Sequence, residues 1–131
     1  MLAQKEQIMR CQKMFALTVM AVMSMASIAN AEEGVEEGHQ LYVKYCSGCH
    51  KLTDQTSKGP GFLGVTGRHS EAWIEKWIQN PKAVIESGDP DAIKLKEKYK
   101  ITMPTIKVMA DEKPRREIIE FLKENDKNLA Q

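Results

Sequence analysis

Two thiols and an imidazole lie within five consecutive residues of this 131-residue chain, in the run Cys46-Ser47-Gly48-Cys49-His50. Residues three and four apart share one face of a helical turn, so the three side chains can meet a single flat ligand. Cys-x-x-Cys-His is the attachment signature of a c-type haem, in which the imidazole is the proximal iron ligand. The motif therefore predicts one covalent haem bound through Cys46 and Cys49, with His50 on the iron.

Two other chemistries also use a Cys-x-x-Cys pair. A structural zinc site needs two more soft ligands, and no cysteine follows Cys49. A dithiol redox enzyme usually places its pair at the start of a helix that follows a strand, whereas the residues before Cys46 have no strand pattern. A dithiol or a metal site stays open as an alternative to haem, with less support from the sequence.

The first 31 residues have the pattern of a secretory signal peptide. Basic residues precede an apolar stretch from Phe15 to Ile28, and Ala29 and Ala31 fit the small-x-small cleavage pattern. The apolar stretch is shorter than the roughly 20 residues that a membrane-spanning helix needs. We therefore predict cleavage before Glu32, a periplasmic protein and no stable membrane insertion. A retained leader would instead give a membrane-anchored form.

The predicted mature chain, residues 32–131, has the size of one domain. Cys11 would leave with the leader, so only the two haem-motif cysteines would remain. The whole chain has 19 basic and 18 acidic residues, of which three and one lie in residues 1–31, so the mature part has a net charge of −1. This near-neutral balance does not suggest a nucleic-acid partner.

The mature chain has helical periodicity and no strand periodicity. Helix signals include an N-cap at Ser70, a break at Asn80-Pro81 and an N-cap at Asp89 before Pro90. The glycine-rich segment from Lys51 to His69 is expected to be an ordered loop. The predicted helices span residues 34–46, 71–80, 90–100 and 111–125, and an extended loop carries Met103-Pro104.

The order and spacing of these features resemble the class I monohaem cytochromes c. The resemblance is carried by Gly38 to Tyr42, the Cys46 to His50 motif, Gly59-Pro60, Gly64 to Arg68, Trp77, Met103-Pro104 and the terminal helix. It implies an all-α fold of about four to five helices wrapped around one covalently attached haem. It also implies that the first and last helices cross where Gly38 and Tyr42 meet Ile118 and Phe121.

The resemblance implies the remaining haem contacts as well. Met103 would be the second iron ligand, with the later Met109 as core filler, and His39 and His69 would be surface histidines. The Pro60 carbonyl would accept a hydrogen bond from His50, and Arg68 and Trp77 would donate to the haem propionates. Trp73, one turn before Trp77, could exchange roles with it.

The function that follows is electron transfer without substrate chemistry. Iron held by His50 and Met103 has no open position, which predicts a non-enzymatic carrier of single electrons between respiratory redox partners. Such partners would dock transiently at the exposed haem edge, near Lys51, Lys58, Lys100 and Lys107. Two alternatives stay open: a haem-based ligand-binding or peroxidatic protein, and a dedicated electron-transfer subunit of a larger redox enzyme.

Overall fold

The computed structural model describes residues 32–129, which are helical and contain no strand. The chain divides into two units, Met1–Glu33 and Gly34–Gln131. The predicted signal peptide and Cys11 lie outside the described residues, so the boundary at residue 32 stays a prediction. Within residues 32–129, no helix has the length and hydropathy needed to cross a membrane.

The described chain forms six α-helices, which confirms the predicted all-α class. A π-helical turn, Tyr42–Cys46, continues the first helix into the haem motif, and a 3-10 turn, Lys107–Ala110, precedes the last. The helices are α1 (residues 32–41), α2 (Val65–Arg68), α3 (Glu71–Gln79), α4 (Pro81–Glu86), α5 (Pro90–Tyr99) and α6 (Glu112–Leu129).

The predicted helix caps at Ser70 and Asp89 are confirmed. The Ser70 hydroxyl accepts a hydrogen bond from the Trp73 amide at 3.2 Å, and the Asp89 carboxylate accepts from the Ala92 amide at 2.9 Å. Each cap pairs amides that a helix start leaves without a partner, one at Ser70 and two at Asp89. These two caps set the start of α3 and of α5, the helices that form one side of the cavity described below.

Two short helices were not predicted. Asn80 both ends α3 and caps α4, because its side chain accepts from the Ala83 amide at 3.1 Å and Pro81 occupies the first helical position. The sequence interpretation of Asn80-Pro81 as a break alone was incomplete. Likewise α2 lies inside the segment expected to be a loop, and Gly64 begins it in the left-handed region at φ 71°.

The core lies where α1, α3 and α6 meet. Gly38 allows the backbone of α1 to approach α6, because a Cβ at this position would overlap the Glu117 carbonyl oxygen and the Phe121 Cβ. The Tyr42 and Phe121 rings pack with centroids 5.6 Å apart. The predicted helix crossing is therefore present, with Glu117 rather than Ile118 against Gly38. Ile118 is itself buried in the same core.

Candidate haem-binding site

The seven residues predicted to contact a haem line two adjoining cavities. Both cavities are bordered by His50, Pro60, Trp77, Leu95 and Met103. The inner cavity also contacts Cys46 and Arg68, and the outer one contacts Cys49.

His50 is buried and its ring is held in one tautomer. Its Nδ1 lies 2.8 Å from the Pro60 carbonyl oxygen. A carbonyl can only accept, so Nδ1 carries the proton and donates it, which leaves the lone pair on Nε2. Burial lowers the pKa of His50, against the smaller raising effect of the Pro60 hydrogen bond. The imidazole is therefore neutral, which is the form that ligates a metal.

The two cysteines differ in their surroundings. Both are free thiols, and Cys46 is only 8 % exposed whereas Cys49 is half-buried. Burial raises the pKa of the Cys46 thiol to about 12. Dithiol redox enzymes instead need a thiolate of lowered pKa. Cys46 therefore has the environment of a tether rather than of a redox nucleophile.

The two methionines of the described chain have different roles. Met103 lies in the extended loop between α5 and the 3-10 turn and borders both cavities. Met109 is 0 % exposed and belongs to the core cluster with Ile118 and Ile119. The prediction that Met109 fills the core is confirmed, and Met103 is the thioether that faces the same space as His50.

The indole and guanidinium groups at the cavities differ in the hydrogen bonds that they already make. Trp73 donates from Nε1 to the Asp89 carboxylate at 3.0 Å, so its polar atom already has a partner. Trp77 stacks on Trp73 with ring centroids 5.3 Å apart and borders both cavities. Arg68 donates to the carbonyls of Leu63 and, at 3.1 Å, Gly61. Of the two indoles, Trp77 is thus the better placed for a propionate.

His69 differs from the sequence expectation, whereas His39 agrees with it. His39 is exposed and packs against the Phe121 ring at 5.2 Å. The His69 side chain is only 18 % exposed, stacks on Trp73 at 4.2 Å and borders the inner cavity. The expectation of a surface histidine at His69 was wrong, because the start of α3 brings Trp73 over the ring. The only sequence signal for this contact was the four-residue spacing between His69 and Trp73, which can bring two side chains together on a helical turn.

Sequence reasoning also missed Phe62. Its ring stacks on the His50 imidazole with centroids 4.5 Å apart and an interplanar angle of 12°, and it borders the inner cavity. The only signal in the sequence was its position two residues after Pro60. Of the four lysines expected around the haem edge, Lys58 borders the outer cavity, and Lys96 does so without having been predicted.

The donor set around the cavities fits a c-type haem. Two thiols, a neutral imidazole and a thioether border the two adjoining, largely apolar cavities, and these are the groups that tether and ligate haem c. Among residues 32–129, no group of three or more His, Cys, Asp or Glu side chains is placed to hold a metal ion.

Comparisons with known proteins agree with this geometry. The family model for cytochrome c matches residues 35–126. A curated relative, cytochrome c-551 of Bacillus subtilis, is 30% identical over 70 residues, which span 50% of this chain and 62% of that protein. The solved cytochrome c from Rhodothermus marinus superposes with a TM-score of 0.69 at 29% identity, covering 74% of this chain and 80% of that one. A cytochrome c domain from Pseudomonas putida gives 0.61 at 26% identity, covering 71% and 91%.

Proposed function

Since this chain belongs to the cytochrome c family, we propose that it is a periplasmic carrier of single electrons with one haem c, tethered by Cys46 and Cys49. The family supports a haem-based electron carrier in general. The observation that carries the finer proposal is the placement of His50 and Met103 at both of two adjoining apolar cavities, of which one contacts Cys46 and the other contacts Cys49.

The proposed iron ligands are His50 and Met103. The lone pair on His50 Nε2 is free because Nδ1 donates to Pro60. Ligation of a haem iron by His50 and Met103 would leave no position for a substrate, which favours electron transfer over bond chemistry. When bound, the haem supplies a one-electron iron couple, and a neutral thioether ligand raises its potential. We therefore propose a carrier rather than an enzyme.

The proposed propionate contacts are Trp77 and Arg68. Trp77 borders both cavities and its neighbour Trp73 is already bonded to Asp89, so Trp77 is the indole we assign to a propionate. Arg68 would donate to a propionate from the guanidinium N–H groups that do not already donate to the Leu63 and Gly61 carbonyls. Each assignment predicts a variant with a changed reduction potential and a retained covalent haem, Trp77→Phe for the indole and Arg68→Gln for the guanidinium.

Redox partners are proposed to dock at the mouth of the outer cavity. Lys58 and Lys96 border this mouth together with Ile101, which is 54 % exposed. A small apolar contact within a charged rim suits a transient encounter that is guided by charge. The rate of reduction by an acidic redox protein should fall steeply with added salt, and a flat dependence would argue against this surface.

The identity of the second ligand can be tested with two methionine variants. In the haem-loaded wild type, the ferric protein should show the far-red charge-transfer band of thioether-ligated iron. Met103→Ala should abolish this band, whereas the control Met109→Leu should retain it. Carbon monoxide binding by the wild type, without the band, would favour the ligand-binding or peroxidatic alternative.

The proposed export and haem attachment are tested by the mass of the protein recovered from a periplasmic extract. One added haem and the loss of residues 1–31 are expected. A mass that retains the leader would indicate the membrane-anchored form. Gel filtration of the native extract distinguishes a free shuttle, which elutes as a monomer, from a subunit of a larger redox enzyme.

A further inference from the structure

We propose that Phe62 is a positioning residue that sets the orientation of the His50 imidazole on the haem iron, an inference that rests on the proposed function. The phenyl ring lies nearly parallel to the imidazole, at 12° and with centroids 4.5 Å apart. Stacking of this kind favours one rotation of the ring over others. Phe62 thereby acts on the iron through its ligand rather than by contact.

The backbone around His50 fixes where Phe62 lies. The Gly59 amide donates to the Cys49 carbonyl at 3.0 Å, and the Phe62 amide donates to the Lys51 carbonyl at 2.8 Å. The residues before and after His50 are thus each bonded to the segment that ends in Phe62. This register places the phenyl ring against the imidazole.

The same segment restricts the imidazole in two further ways. The Pro60 carbonyl accepts from Nδ1 at 2.8 Å, which fixes one edge of the ring. Gly59 lies so close that a Cβ there would be 2.5 Å from Cε1 and 2.9 Å from Nδ1 of His50. A hydrogen bond tolerates some misalignment, so on its own it would still allow limited rotation of the ring about the Cβ–Cγ bond. Phe62 contacts the ring face and removes that freedom.

Phe62 also packs against Tyr42. The two rings have centroids 6.1 Å apart, and the Tyr42 hydroxyl donates to the His50 carbonyl at 2.9 Å. Tyr42 is 8 % exposed and packs against Phe121 in the core. Phe62 therefore contacts both the proposed iron ligand and a buried core residue, as a positioning role requires.

Two properties of the haem-loaded protein should report this role. The direction of the imidazole plane sets the anisotropy of the ferric iron, so Phe62→Leu should change the g values in electron paramagnetic resonance. Leucine also shields the imidazole less from water, which favours the charged ferric form and lowers the reduction potential. We expect a change of about twofold in the redox equilibrium, about 18 mV for one electron.

The matched control is Phe121→Leu, which removes the other phenyl ring that packs against Tyr42 and has no stacking with His50. Phe62→Tyr keeps the aromatic face and should restore wild-type g values and potential. The inference is overturned if Phe62→Leu and Phe121→Leu give the same g values and potential as each other while the far-red band is retained. A wild type that lacks haem or histidine ligation would overturn the proposed function, and this inference with it.

Discussion

The carboxylate of Asp126 in α6 binds the backbone and side chain of Thr66, sixty residues earlier, at the start of α2. One carboxylate oxygen accepts from the Thr66 amide at 3.0 Å and from its hydroxyl at 2.6 Å, and the other accepts from the Gly64 amide at 2.6 Å. A negative side chain at a helix N-terminus pairs free amides and offsets the helix dipole. The last helix therefore holds in place the short helix that carries Arg68.

Replacing Asp126 with alanine should lower the free energy of unfolding by about 2 kcal/mol, because hydrogen bonds to a charged acceptor are lost and α2 is left uncapped. Chemical denaturation of the haem-loaded protein measures this change. Glu97→Gln, at an exposed carboxylate on α5, is the control and should change stability by less than about 0.5 kcal/mol. Equal effects of the two variants would show that Asp126 has no capping role.

Gly38→Ala should destabilise the protein by about 3 kcal/mol, because the added methyl group must displace either helix at the crossing of α1 and α6. Gly34→Ala is the matched control on the same helix, since a Cβ at that position meets nothing within 4 Å. There alanine should stabilise by about 0.5 kcal/mol, because glycine weakens helices. Thermal unfolding should show a lower melting temperature for Gly38→Ala and a higher one for Gly34→Ala. A Gly38→Ala variant as stable as the wild type would contradict the close approach of α1 and α6.

Lys100→Gly should stabilise the protein by about 1 kcal/mol, since Lys100 ends α5 in the left-handed region that glycine adopts without a steric penalty. Its φ is 58°, and it is the one non-glycine residue with positive φ among the described residues. In the control Lys98→Gly, within the last turn of α5, the same substitution should cost about 1 kcal/mol. A loss of stability in both variants would rule out relief of strain at Lys100.

Tyr42→Phe should cost about 1 kcal/mol near pH 7, because the His50 carbonyl loses its hydroxyl donor. Burial raises the pKa of Tyr42 above its ordinary value, so the folded chain holds the phenol proton longer than the unfolded chain. The resulting stability is complete below about pH 10 and is lost as the pH rises through the folded pKa. Chemical denaturation should therefore show that the difference in free energy of unfolding between wild type and Tyr42→Phe is smaller at pH 11 than at pH 8. An equal difference at the two pH values would contradict the raised pKa of Tyr42.

Much of this protein could be derived from local sequence signals. The Cys-x-x-Cys-His run, the caps at Ser70 and Asp89 and the helical periodicity each depend on residues within a few positions of one another. Local geometry decides such features, so the all-α class and most helix boundaries followed without a structure. The crossing of α1 and α6 required the resemblance, because no local signal relates Gly38 to Phe121.

Contacts between distant segments were decided by the tertiary structure alone. The helix α2 depends on a carboxylate sixty residues away, so its own four residues could not predict it. His69 lies at the cavity because α3 places Trp73 over it, and Trp73 is engaged because the start of α5 brings Asp89 to its indole.

The sequence by itself determined which groups can bond a haem, since thiol, imidazole and thioether chemistry belongs to residue types. Which of them share a cavity, and how the His50 ring is held between Pro60 and Phe62, depends on the register between segments. Register arises from packing and backbone hydrogen bonds over the whole fold, and only the tertiary structure contains it.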